Sequence, residues 1–196
     1  MAEIKSTMDM VMERAARMTA SSSPQTDNED MQKKGMRLAA EFLNGKVSDL
    51  PSTLTEQAPA EQATVRQGMI ETLLRNITLP RDEQLKTTSL LALTGIIALG
   101  GTQIAPVCAE LQQLLEQYSQ HKEQSIKQLD DAIRAQLGQQ MARRGGQATQ
   151  AASLNPALHP QYREELARMQ TDLNNQYTQA FDQRKELIRQ AIVPRR

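Results

Sequence analysis

Ile104, Cys108, Leu111, Leu115 and Tyr118 return at intervals of three and four residues, and Ile126, Leu129, Ile133 and Leu137 resume the pattern after Lys122 and Ser125. This period puts the apolar side chains on one stripe of an α-helix, not on the alternating faces of a strand. The first group keeps a near-heptad spacing and the second begins a new frame, as in interrupted coiled coils. A helix from Thr102 or Pro106 to Ala142 reaches about 55 Å at the α-helical rise. Such a rod cannot hide its stripe alone, because intrinsic propensity stabilises an isolated helix only weakly.

A second rod is predicted from Pro160 to about Ile192, with Tyr162, Leu166, Met169, Leu173, Tyr177, Ala180, Phe181, Ile188 and Ile192 on one side. Between the rods, residues 143–159 (RRGGQATQAASLNPALH) show no stripe and read as a linker. The rods are expected either to fold back as an antiparallel coiled-coil-like hairpin or to form a dimer interface with a second copy. A homo-oligomer is the expected assembly.

The rest of the chain is also helical. Met31, Gly35, Leu38, Phe42 and Leu43 share a face of a helix from Asp27 to Asn44, with Asn44-Gly45 as its C-cap. Lys46 to Ala58 reads as a connector with one short turn of helix. Pro59 is placed at the first position of a helix to Asn76, where its missing N–H costs nothing. Leu79-Pro80 opens another, to about Leu99. Period-two alternation is absent. The expectation is an all-α fold in three parts: an amphipathic helix at 1–20, a helical core at 27–101, and the long hairpin at 102–196.

Composition narrows the function classes. Aromatic residues are 3% of the chain and tryptophan is absent, which disfavours a stacking pocket for bases or flavins. Lysine plus arginine equals aspartate plus glutamate, 23 each, so no basic excess points to nucleic acid. Cys108 is the one cysteine, which excludes an intramolecular disulfide and disfavours a structural zinc cluster. The charged opening stretch lacks the apolar segment of a secretory signal, so a cytoplasmic location is expected. Of 24 glutamines, nine fall between 112 and 140, mainly on outer faces of the first rod. Good helix formers on a wet surface explain them, and a polar surface for weak lateral association is the alternative.

Residues 95–102 (GIIALGGT) carry the outline of a phosphate-binding loop, but Gly101 stands where the lysine is needed and no strand precedes it. From 87 to 109 there is no charged residue, about the length of a membrane span, yet the strongly apolar run is only Leu90 to Leu99. His121 and His159 lie outside any E-x-x-H pattern. Cys108 and His121 are about 20 Å apart on one straight helix, too far for a nucleophile and its base. Asp130-Asp131 and Glu164-Glu165 diverge by about 100° around their helices. No catalytic residue, metal site or cofactor is expected.

Seven of the ten methionines lie in the first 36 residues. Methionine is adaptable and favoured on docking surfaces. Met8, Val11, Met12, Ala15 and Met18 are therefore the candidate partner-binding residues, on a helix that would lie in a partner's groove. The opening MAEIKSTMDMVMERAARM resembles the start of a family of bacterial proteins of about this size with no assigned function, a resemblance that extends no further than Gly45. It implies a bacterial cytoplasmic protein and brings no activity and no functional residues. The leading expectation is a non-enzymatic helical interaction or scaffold protein. A membrane-associated adaptor using 87–109 or the N-terminal helix is second, and an enzyme with an unfamiliar helical site third.

Overall fold

The computed structural model describes residues 24–143 and 155–192. The amphipathic helix expected at 1–20, with Met8, Val11, Met12, Ala15 and Met18, lies outside the described residues, as does most of the linker. Among the described residues there are six α-helices and one 3-10 turn, and no strand. The all-α expectation holds. The chain divides into two compact units at Arg75/Asn76, whereas the change of sequence pattern falls after Gly101. The reason is that the helix before Gly101 is buried against the first long rod.

In the first unit, α1 (Pro24–Leu43), α2 (Leu50–Thr55) and α3 (Gln62–Asn76) enclose Ala39, Phe42, Leu50, Val65, Met69, Ile70, Leu73 and Leu74. Helix α1 ends as its sequence predicts. Gly45 takes a φ of 73°, its N–H bonds to the Phe42 carbonyl, and the Lys46 N–H reaches back to that of Glu41. That pair of bonds satisfies carbonyls which the helix end leaves open. Pro59 does not start α3 as expected. It sits in a turn closed by Glu61 and Gln62 N–H groups on the Ala58 carbonyl, and α3 begins three residues later.

Helices α1 and α3 approach backbone to backbone at Gly35 and Gly68. A Cβ at Gly35 would overlap the Val65 carbonyl, and one at Gly68 the Gln32 carbonyl. Beside this crossing the Gln32 amide donates to Glu71 at 3.0 Å.

In the second unit, α4 (Glu83–Gly100) is capped by Asp82, whose carboxylate accepts the Leu85 N–H at 2.8 Å. This cap satisfies an orphan donor at the helix start. It ends at Gly101, again at φ 73°. Helix α5 (Ala105–Arg143) is the first rod and α6 (Tyr162–Ile192) the second, with the 3-10 turn Pro156–Leu158 ahead of α6. The rods run antiparallel within one chain: Glu110 meets Arg184, Tyr118 meets Asn174, and Asp130 meets Tyr162.

Of the two arrangements left open by the sequence, the intramolecular hairpin is the one formed. The connector before α4 is fixed by Ser89, fully buried, whose hydroxyl accepts the Thr78 N–H and lies 3.2 Å from the Thr78 carbonyl.

Residues 87–109 are not one span. They cross the end of α4, a turn, and the start of α5. No described helix is long and apolar enough to cross a membrane.

Candidate functional site

Along its first half the hairpin is a closed core. Cys108, Leu111 and Leu115 of α5 and Ile188 of α6 are 0–1% exposed, because α4 roofs the groove between the rods. At one end of this roof, Gly100 lies against Ile104 and Ile192. At the other end, Lys86 pairs with Glu116 at 2.8 Å and the Lys122 ammonium donates to the Arg81 carbonyl at 2.6 Å. The pairing raises the Lys86 pKa and lowers that of Glu116. A cleft of about 340 Å³ opens here, between Pro80 and Ile126, and marks where the roof stops.

Beyond Ile126 the roof is gone, and α6 accompanies α5 only as far as Tyr162, which stands opposite Asp130; past that point the 3-10 turn Pro156–Leu158 packs beside α5. Ile133 is still buried, but Ile126, Leu129, Leu137, Met141 and Leu166 are only half-buried, as is Met169 just before them. Where two helices or a helix and a short turn pack without a third layer, one side of each stripe is covered and its flanks are left to solvent. The sequence predicts the stripes but not this difference between their ends.

Between roofed stem and bare arm lies a polar layer. The Tyr118 hydroxyl donates to the Asn174 side-chain oxygen at 2.7 Å, and the Tyr118 and Tyr177 rings meet edge to face at 5.4 Å. The Tyr177 hydroxyl lies 3.5 Å from His121 Nδ1. Burial raises the Tyr118 pKa. A second cleft, about 280 Å³, opens beside His121, Arg168 and Asp172. Nearer the tip, Tyr162 donates to Asp130 at 2.8 Å, which raises the tyrosine pKa. None of these cross-hairpin pairs is evident from the sequence, since each joins residues 32 to 56 positions apart.

The residues that sequence reading weighed for chemistry do not converge. Cys108 faces the core while His121 is exposed thirteen positions along the same helix. Asp130 serves Tyr162, and Asp131 pairs with Arg134 at 3.6 Å on the surface. Glu164 and Glu165 are exposed in the first turn of α6. Residues 95–102 form a helix end, not a strand and loop. No cluster of three or more metal-ligating side chains occurs among the described residues. Lys185 is a feature the sequence does not announce. It donates to the Ile77 carbonyl at 3.0 Å, and burial holds its ammonium below the usual lysine range.

Burial pushes the Cys108 thiol up to about 11. The thiolate is the reactive form, so at pH 8 its population falls by roughly two orders of magnitude from that of a free thiol. Native protein should therefore resist iodoacetamide until denaturant is added. The sign for stability follows from linkage. The folded chain holds its proton where the unfolded chain has released it, so this contribution is lost as pH rises from about 9 toward about 11. Alkylation of the native protein at the rate of a free cysteine would contradict the assignment.

An all-α protein whose C-terminal part is an antiparallel helical hairpin, roofed at one end and bare at the other, is the class defined by this fold. The chain belongs to the family of unknown function DUF6657, which matches residues 51–190 and so takes in α2 through nearly all of α6. No curated protein and no solved structure matches it.

Proposed function

We propose that this is a non-enzymatic helical interaction or scaffold protein of the bacterial cytoplasm, and that the arm beyond α4 is its docking surface. The observation that carries the reading is the set of half-buried residues Ile126, Leu129, Leu137, Leu166 and Met169, against a stem in which Cys108, Leu111, Leu115 and Ile188 are 0–1% exposed. Apolar rows of this kind mark contact sites when polar residues rim them. The arm's glutamines and paired charges supply such a rim. The buried, proton-holding Cys108 and the dispersed carboxylates support a role in binding over one in catalysis. The bacterial setting rests on the resemblance of the opening eighteen residues.

Site-specific photo-cross-linking in cells tests this. A photoreactive residue at Leu137 or Leu166 is expected to give discrete protein adducts, while one at the exposed Thr94 of the roof gives none. Absence of adducts from both arm positions would overturn the reading.

A further inference from the structure

The side of the hairpin turned away from α4 is poor in charge and repeats every seven residues. On α6 it presents Gln176, Gln183 and Gln190, with Ala180 and Leu187 between them. On α5 it presents Pro106, Glu110, Leu114 and Gln117. Residues three, four and seven apart share one side of a helix. Glu110 and Arg184 pair across this face at 3.2 Å, and Glu186 stands at its edge, held by Arg189 at 2.6 Å. Leu187 is 51% exposed, and the three glutamines are open to solvent. A hollow of about 480 Å³, lined by Glu110, Gln183, Arg184, Glu186 and Leu187, lies at the middle.

We propose that this face binds a second copy of the chain, back to back, about a two-fold axis that crosses the rods at the level of Gln183. The proposal goes beyond the docking role given to the arm and uses other residues. Register is what selects a second copy as the occupant. Such an axis lays α6 antiparallel on its own copy, so residues equally far before and after Gln183 meet. Gln176 then lies against Gln190, Gln183 against Gln183, and Leu187 over Ala180, a large side chain over a small one. The Glu110–Arg184 pair sets Glu110 at the same level on α5. The same axis therefore centres α5 on Glu110 and brings Leu114 against Pro106. An axis fixed from one rod thus matches both.

The chemistry agrees. Glutamine is donor and acceptor at once and can bond to its own copy, whereas an unpaired charge on the axis would meet its like. Gln183 enters the hollow of the second copy, where its amide can donate to Glu110 and accept from Arg184. The two Glu110–Arg184 pairs bring equal numbers of opposite charges to the axis, so no net charge is buried there. Depletion of charge at the centre is the usual mark of a protein interface.

Size agrees with a reversible dimer. From Leu173 to Ile192 the face is about 30 Å long, and two helices side by side are about 20 Å wide. Each copy would contribute about 600 Å², or about 1,200 Å² in all, at the lower bound for a stable specific interface. Dissociation in the micromolar range is expected.

Sedimentation velocity of the full chain, up to roughly 100 µM, should show monomer–dimer exchange. Leu187→Lys puts a charge over Ala180 and should weaken the dimer by about tenfold or more. The register is read with a short bis-maleimide. Gln183→Cys should cross-link to itself, and Gln176→Cys mixed with Gln190→Cys should cross-link more than either variant alone. Cys108 is buried, so the unaltered chain serves as the blank. Circular dichroism on each variant verifies that the helices are intact.

A chain that stays monomeric throughout overturns the proposal. So does a dimer indifferent to Leu187→Lys, or one in which Gln183→Cys fails to cross-link to itself. Photo-cross-linking from Leu137 and Leu166 reads the arm separately, so either role can fail while the other stands.

Discussion

Replacing Gly68 with alanine is expected to destabilise the first unit by about 3 kcal/mol or more, the upper part of the range for overpacking. In an exposed helix the same change would stabilise by up to about 1 kcal/mol, because alanine is the better helix former. The sign of the effect is therefore diagnostic. The methyl group at this position would overlap the backbone carbonyl of Gln32 in α1, and a methyl on Gly35 would overlap that of Val65 in α3. Backbone atoms cannot rotate aside as side-chain tips can, so the helices must separate and uncover Val65, Met69 and Ala39. Urea unfolding with amide exchange resolved to α1 and α3 measures this. An alanine variant with unchanged or increased protection there would show that the helices do not cross at these glycines.

Truncation of Ile188 to alanine should cost about 2–5 kcal/mol in the second unit, the usual range for emptying a sealed aliphatic site. The same truncation at its neighbour Leu187 should change stability by no more than about 0.5 kcal/mol. Ile188 is fully buried under the roofed end of the hairpin, whereas Leu187 is 51% exposed. Both are large aliphatic residues on one turn of α6, so helix propensity and unfolded-state effects nearly cancel in the comparison. Chemical denaturation of the two variants side by side provides the test. Equal losses would mean that α6 is turned differently about its axis.

Ile188 was on the predicted stripe and Leu187 was not, which shows what local periodicity can deliver. The stripes of both rods were legible, and their ends fell within three residues of the observed ones, because side-chain spacing along one helix needs no knowledge of its neighbours. The Gly45 cap was legible for the same reason. What escaped was every feature made by two distant segments. Gly35 lay on a visible stripe, but nothing in the sequence says that Gly68 stands opposite it. Lys185 bonds a carbonyl 108 positions away. Pro59 was misplaced because proline is equally at home in the turn before a helix and in its first residue. The bare arm was half legible: an eighteen-residue helix cannot roof a thirty-nine-residue one, but the stripe itself looks alike where it is roofed and where it is not.

The polar layer in the hairpin has one more consequence, for alignment. Two long amphipathic helices can slide past each other by seven residues and still match apolar to apolar. Here a slide one way would bring the Tyr118 hydroxyl against Phe181 and the Asn174 amide against Ser125; a slide the other way would bring them to Ala167 and Leu111. Losing the acceptor for a buried hydroxyl costs about 1–3 kcal/mol, while the aliphatic contacts on either side are largely indifferent to the shift. A tyrosine and an asparagine thus act as a detent that selects one registration among several oily ones, and with it the reach of the hairpin beyond its roof.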